Sequence, residues 1–506
     1  MTATVEINWW EVDRQIKDLE TDMLHGVAVQ REAIPLVFVP GIMGTRLRRA
    51  GAAPTADGND KNDGPDGLPN VRWEPGKKGW MAMHYLYRGP EYRKRMIIGP
   101  DFDPDRLEVA NAEPLGNGFS GLMEDYRPFL ETLRNHPWGP IGKVFEFPVY
   151  AVGYNWTDSA ETAGSKLSAR IQNIIREAKS VMGACETVIL VSHSMGGLVS
   201  RACCKLSGAE GSILGVVHGV QPVTGAAAAY WRIKAGFEGS ALPSAVLGND
   251  GKDVTVILGN SPGGLQLLPN QLYRTNAGAV AWLRVTKDSK VIDGLALPKG
   301  DPPDPYQEIY SIPAVVSPKD SREPSNNAYW ALVDPDLLTP GQTTEPADAG
   351  SIDAETAVGV QLPWDQYVGH LAVAKSFHER LRDQAHPNSF CFAGSGQATA
   401  EQVELKAEWR ATPITNYRTR GFAGEYTSAD GWDMKAILQP PAGAGDGTVP
   451  LPSAQRLNRD GKPKPGDVTL ALKHQPAYEN GAAQSFTIQA ITALGLIRYE
   501  QMRPKK

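Results

Sequence analysis

Twelve consecutive residues, Val188-Ile-Leu-Val-Ser-His-Ser-Met-Gly-Gly-Leu-Val199, restrict this chain more than any other stretch. Val188 to Val191 are apolar without alternation, the pattern of a strand buried on both faces. Residues His193 to Gly197 break that strand, and an apolar helical pattern follows over Leu198 to Leu206. Strand, sharp turn and helix in so short a span put Ser194 at the apex of the turn, with the helix N-terminus behind it favouring negative charge. Such an elbow normally reads Gly-x-Ser-x-Gly; here Ser192 stands at the first glycine and is small enough to fit against the following helix.

The flanking segments predict the sheet that would carry the elbow. Ile34 to Val39 is a continuous apolar strand that ends in the turn Pro40-Gly-Ile-Met-Gly-Thr45, where backbone N–H groups can point at a ligand. Phe145 to Val152 reads as a strand, Ala160 to Ala178 as an amphipathic helix, and Ser212 to Val220 as a further strand. This alternation predicts an α/β fold with a doubly wound, mostly parallel sheet whose chemistry sits at the carboxyl ends of its strands. We divide the chain into a helical lead-in (1–33), a first core part (34–223) with a lid-like insertion at about 48–110, an inserted cap (224–365) and a second core part (366–506). Within the lead-in, residues 8 to 30 read as helix. Within the cap the rhythm lapses into proline-rich pieces, such as Leu297 to Pro305 and Ser321 to Asn327. The second core part carries a helix near 365–385, the strand Ser389 to Ala393, a strand or hairpin over Gly421 to Leu438, and a terminal helix over Ala482 to Met502. Residues 50–72 are rich in Gly, Pro, Asp and Asn and read as an exposed loop. The apolar group that follows, Trp73, Trp80, Met81, Met83, Tyr85 and Tyr87, reads either as ordinary packing or as a lid that meets substrate.

A serine nucleophile needs a base and an orienting acid, which in this kind of sheet follow it in that order: serine, acid, histidine. Asp446, in the glycine-bounded Gly445-Asp-Gly-Thr-Val449, is the candidate acid, and His474, 28 residues later, the candidate base. His193 and His218 do not fit that order and read as supporting or packing residues. His370, His378 and His386 fall on or beside a helix without the carboxylate company of a zinc site, so neither a metal nor any other cofactor is expected. Position nominates the backbone N–H groups of Ile42 and Met195 as the oxyanion hole.

Composition sets the outer limits. Of 506 residues 41% are hydrophobic and 21% charged, enough apolar material for a large core. The net charge of −6 speaks against a nucleic-acid partner. The short basic run Arg46, Arg48 and Arg49 reads as a solvated loop. Four irregularly spaced cysteines, Cys185, Cys203, Cys204 and Cys391, read as reduced core thiols. No secretory signal and no membrane-spanning run is evident, so a cytoplasmic protein as synthesised, with at most peripheral membrane contact, is the expectation.

Several separated motifs together resemble the lecithin:cholesterol acyltransferase-like branch of the α/β-hydrolase lipases and its bacterial esterases and phospholipases. They are Val39-Pro-Gly-Ile-Met-Gly-Thr-Arg-Leu47, Gly153-Tyr-Asn-Trp156, Ser192-His-Ser-Met-Gly196, Phe390-Cys-Phe-Ala-Gly-Ser-Gly396, and Gly445-Asp-Gly-Thr-Val449 with His474. The resemblance implies an α/β-hydrolase fold and an acyl-enzyme on Ser194, with a lipid or phospholipid ester as substrate. Water or an alcohol is the acceptor, and the motifs do not separate hydrolase from acyltransferase. Some bacterial relatives resemble antibacterial lipase effectors of type VI secretion, which implies delivery to a target-cell periplasm and an immunity protein or secretion-apparatus partner. The alternatives are an intracellular esterase, a polyester depolymerase, and a non-catalytic binding module on the same fold.

Overall fold

The computed structural model describes residues 15–20, 32–52, 64–86, 88–99, 104–110, 122, 124–237, 246–248, 250–287, 290–313, 330–339, 363–409, 425–427, 432–438, 442–457 and 467–503. Its centre is a six-stranded sheet. In chain order the strands are β1 (Leu36–Val39), β2 (Val149–Ala151), β3 (Val188–His193), β4 (Ile213–Gly219), β5 (Ser389–Gly394) and β6 (Val468–Leu470). They lie in the order β6-β5-β4-β3-β1-β2, and every neighbouring pair is parallel. All residues of β1, β3 and β4 are buried, which explains the apolar runs Leu36–Val39, Val188–Val191 and Ile213–Val217 where a half-buried strand would alternate; Ser192, His193 and His218 are the buried polar exceptions.

Helices cover both faces. Val37, Val39, Val188 and Leu190 pack on one side with Leu167, Ile171 and Ile174 of α1 (Ala160–Met182) and with Leu198 and Ala202 of α2 (Gly196–Lys205). Leu36, Phe38, Ile189 and Val191 pack on the other with Phe486, Ile491 and Leu494 of α4 (Gly481–Met502). Burying one such large apolar side chain is worth roughly 1.5–3 kcal/mol. Local chemistry sets the helix ends: the Ser159 hydroxyl accepts the Glu161 N–H at the start of α1, and the Asn480 side chain accepts the N–H groups of Ala482 and Ala483 at the start of α4. A further helix, α3 (Pro363–Leu381), buries Tyr367, Leu371, Ala374, Phe377, His378 and Leu381.

A second sheet of five strands combines Lys290–Leu297, Leu283–Lys287, Val403–Trp409, Trp432–Leu438 and Glu425–Thr427, in that order. Its strands come from both sides of the boundary drawn at 365, so the cap and part of the second core segment share one sheet. Of the strand or hairpin expected over Gly421 to Leu438, the described residues form the antiparallel pair Glu425–Thr427 and Trp432–Leu438.

Two expectations need adjustment. The run Arg46, Arg48, Arg49 is no solvated loop: Arg46 is buried and ion-paired with Glu74, Arg48 pairs with Glu108, and Arg49 bonds Asn70. Opposed charge across a small antiparallel sheet, Leu47–Arg49 between Val71–Trp73 and Leu107–Val109, makes that burial tolerable. The loop expected over 50–72 ends early, because Leu68, Val71 and Arg72 are buried. Of the apolar group after it, Trp73, Met81 and Tyr85 are buried in the main core, while Met83 is 66% exposed. Tyr87, the stretch 321–327 and most of 8–30 lie outside the described residues; within the last, 15–20 is helical.

Candidate active site

The turn between β3 and α2 holds Ser194 at φ +52°, a left-handed conformation that a non-glycine residue adopts at a cost of order 1–3 kcal/mol. Surrounding bonds hold it there: the Ser194 N–H donates to Gly219 O at the end of β4 (2.9 Å), and its carbonyl accepts the Gly197 N–H (2.9 Å). The turn is so tight that a Cβ on Gly196 would lie 2.3 Å from Val39 O and 2.4 Å from Pro40 O. Only glycine lets α2 approach the end of β1 this closely. Ser192, at the first elbow position, turns its hydroxyl to His218 Nδ1 (3.2 Å), and its carbonyl accepts the Tyr478 hydroxyl (2.9 Å). The tolerance of a serine here therefore comes with a polar partner in the core.

Asp446 and His474 converge on Ser194 from the ends of neighbouring strands. His474 lies just after β6, and Asp446 sits over Gly394, the last residue of β5. His474 Nδ1 is 2.7 Å from Asp446 Oδ2, and Nε2 is 2.9 Å from Ser194 Oγ. The other carboxylate oxygen, Oδ1, accepts the N–H groups of Thr448 (2.9 Å) and Val449 (2.7 Å). Burial alone would push the Asp446 carboxyl up, but the charge and hydrogen bond of His474 and the two amides outweigh it and hold it below the usual carboxylate range. Asp446 thus stays ionised, and the carboxylate fixes the His474 tautomer with the proton on Nδ1. That leaves Nε2 to accept from the serine hydroxyl.

Beside Ser194 lies the turn after β1. Met43 is held at φ +62°, Gly44 N–H closes onto Gly41 O (3.1 Å), and the Trp73 indole N–H donates to Met43 O (2.8 Å). The Tyr154 hydroxyl donates to Pro40 O (3.1 Å), and Trp156 stacks edge-on against Trp73, so the Gly153-Tyr-Asn-Trp156 segment braces this turn. Among the described residues no acceptor engages the N–H of Ile42 or of Met195.

The remaining histidines fall outside this line. His218 is buried and bonded to Ser192; His378 is buried between Asn270 and the Gln266 carbonyl; His386 accepts the Asn388 N–H. Burial lowers His218 to about 3 and His378 to about 4, so both are neutral. Among the described residues no group of three or more His, Cys, Asp or Glu side chains gathers to hold a metal ion. Also among them, no helix is long and apolar enough to cross a membrane. Sequence reasoning missed Tyr126, whose hydroxyl contacts both Gly41 and His193. No motif surrounds it that would have flagged it.

Comparison with known proteins bears on the fold. No family model and no curated protein matches the chain. Among solved structures, a chain of the Tle4–Tli4 complex is similar with a TM-score of 0.66 and 24% identity, over 92% of this chain and 99% of that one. Aspergillus fumigatus lipase B gives a TM-score of 0.19 at 12% identity, over 68% of this chain and 62% of that one, too little overlap to argue from. The parallel sheet with its β3–Ser194–α2 elbow, and a likeness that runs nearly end to end, make this chain an α/β-hydrolase fold shared with the Tle4–Tli4 complex.

Proposed function

We propose that the chain is a serine lipase or phospholipase that cleaves carboxylic esters through an acyl-enzyme. What carries the reading is the hydrogen-bonded line from Asp446 Oδ2 through His474 to Ser194 Oγ, which ends on a serine held at positive φ. In this reading Ser194 Oγ attacks the ester carbonyl carbon as His474 Nε2 takes the hydroxyl proton. The carbonyl oxygen gathers negative charge between the N–H groups of Ile42 and Met195, each worth about 2.7–4 kcal/mol of barrier if it behaves as such donors usually do. Collapse of the tetrahedral intermediate returns the proton from His474 to the leaving alkoxide. Water, deprotonated by His474, then attacks the acyl carbon, and His474 returns that proton to Ser194 Oγ as the C–O bond to the enzyme breaks and the acid leaves. Asp446 stabilises the imidazolium in both halves without taking its proton.

The phospholipid preference and the role in type VI secretion rest on the resemblance of the motifs and on the fold shared with the Tle4–Tli4 complex. That relative occurs bound to a partner, and we carry the arrangement over as an effector held by an immunity protein. The cap and the insertion at 48–110 would then select the acyl chain and headgroup.

A fluorophosphonate probe on wild type and Ser194→Ala tests the nucleophile, and labelling that persists in the variant rejects it. Phospholipid vesicles and an ester chain-length series, each with and without added alcohol, identify substrate and acceptor. Expression directed to a bacterial periplasm tests the effector role: toxicity no greater than that of Ser194→Ala removes it.

A further inference from the structure

We infer that His193, the residue before the nucleophile, is a positioning residue that holds the main chain of His474 and ties it through Tyr126 to the turn carrying Ile42. The inference rests on the triad reading above. An unbroken hydrogen-bonded line supports it: Gly41 N to Tyr126 Oη (3.2 Å), Tyr126 Oη to His193 Nδ1 (2.9 Å), and His193 Nε2 to His474 O (3.0 Å).

The ends of the line fix its direction. An amide N–H can only donate and a carbonyl can only accept. His193 must therefore donate from Nε2 to His474 O, and in its neutral form it accepts from the Tyr126 hydroxyl at Nδ1. Of the two neutral tautomers only Nε2–H satisfies all three bonds. Burial, followed by the nearby charge of His474, lowers His193 to about 3, so it stays neutral wherever His474 would work as a base. Burial likewise pushes the Tyr126 phenol up, so it remains a donor.

The bond matters because of what else holds His474. Its N–H donates to Asp446 O (2.9 Å), and its carbonyl accepts the Ala477 N–H only at 3.4 Å. His193 supplies the shorter bond to that carbonyl, so it fixes the peptide from which the catalytic imidazole is hung. The same ring touches the other half of the site: a Cβ on Gly41 would lie 2.8 Å from His193 Nδ1 and 3.2 Å from Ser194 Cβ. One buried imidazole therefore connects base, nucleophile and oxyanion turn. A misplacement of about 1 Å in such a constellation costs on the order of 10²-fold in rate.

Three variants separate this role from simple packing against Tyr126, Tyr478 and His474, whose rings lie 5.4–6.0 Å away. His193→Phe keeps the ring and removes the N–H, His193→Gln keeps an N–H of similar reach, and Tyr126→Phe removes only the hydroxyl. On a soluble p-nitrophenyl ester we expect His193→Phe to lower kcat about 10–100-fold with KM within about threefold. We expect His193→Gln to recover to within about fivefold of wild type, and Tyr126→Phe to lower kcat by about 3–10-fold. The reverse order, with Phe near wild type and Gln poor, makes His193 a packing residue and overturns the inference. If neither His193 variant folds, an unchanged kcat in Tyr126→Phe overturns it instead. Should the wild type hydrolyse no ester and take no fluorophosphonate, the triad reading fails. His193 is then judged by the low-field proton resonance of His474 Nδ1–H: its loss in His193→Phe supports the positioning role, and an unshifted resonance rejects it.

Discussion

The two large sheets of this molecule use different sequence chemistry. In the six-stranded sheet, β3 and β4 are buried at every position, and Val188–Val191 and Ile213–Val217 within them carry no alternation of apolar and polar side chains. In the five-stranded sheet, Val403 and Leu405 are buried while Glu404 and Lys406 between them are only partly so, the alternation of a strand with one wet face. Ser194, Asp446 and His474 all lie beyond the ends of strands of the first sheet or beside it, and none lies on the second. A sheet clamped by helices on both faces holds its strand ends in fixed relation, which is what three groups from distant parts of the chain require.

Experiments that strike the first sheet's strand ends should therefore destroy activity at little cost in stability. Ser194→Ala is expected to lower kcat on the order of 10⁶-fold with an unchanged melting temperature, read on a soluble ester and by calorimetry. Asp446→Asn should cost about 10⁴-fold, because the amide no longer enforces the Nδ1–H tautomer of His474. If Ser194→Ala retained measurable turnover, the contrast between a chemical sheet and a supporting one would collapse.

Acid should loosen the whole molecule before it titrates the site's carboxylate. His193 and His218 are lowered to about 3, and His370 and His378 to about 4, with burial as the first cause in each. Their folded values lie below the unfolded value of about 6.5, so the stability they contribute is complete above that pH. It is lost as pH falls toward 4 and then 3, since the unfolded chain binds more protons. With four such groups the slope approaches about 5 kcal/mol per pH unit. Asp446, lowered as well, adds a loss of the same sign as pH falls below its ordinary value of 3.8. A melting temperature that stayed flat from pH 7 to 5 would contradict this.

How much of this was legible depended on distance along the chain. The elbow was read closely because strand, turn and helix are local; the helix expected over Leu198 to Leu206 runs over Gly196–Lys205. Asp446 and His474 were nominated by chain order and turn chemistry, and the structure places both in hydrogen-bonded line with Ser194. The link from Tyr126 to His193 was invisible, since 67 residues separate them and Tyr126 sits in no motif. Likewise Arg46 looked exposed because a local count of basic residues does not show Glu74 across a hairpin. The joining of Leu283–Lys287 with Val403–Trp409 was hidden for the same reason.

Leu405→Ala tests the other half of the contrast. This side chain is fully buried in the second sheet, and its truncation should cost about 2–5 kcal/mol of stability. The kcat per folded molecule should stay within about twofold, and a larger fall would show that the second sheet shapes the site after all.

The smallest expected effect lies where the two halves of the first sheet's site meet. Trp73 falls in the stretch read from the sequence as an insertion, and its indole N–H donates to the Met43 carbonyl in the turn that carries the Ile42 N–H. Trp73→Phe keeps most of the buried aromatic surface against Tyr85 and Trp156 and removes that one bond. Loss of an oxyanion donor itself costs about 10²–10³-fold. On the proposed mechanism Trp73 acts one step back from the Ile42 donor, so kcat should fall about tenfold at most, with labelling by fluorophosphonate slowed in parallel because both reactions would need the same donors. A slowed ester reaction with unslowed labelling would place Trp73 in substrate contact instead, and the insertion would then belong to the binding surface and not to the oxyanion turn.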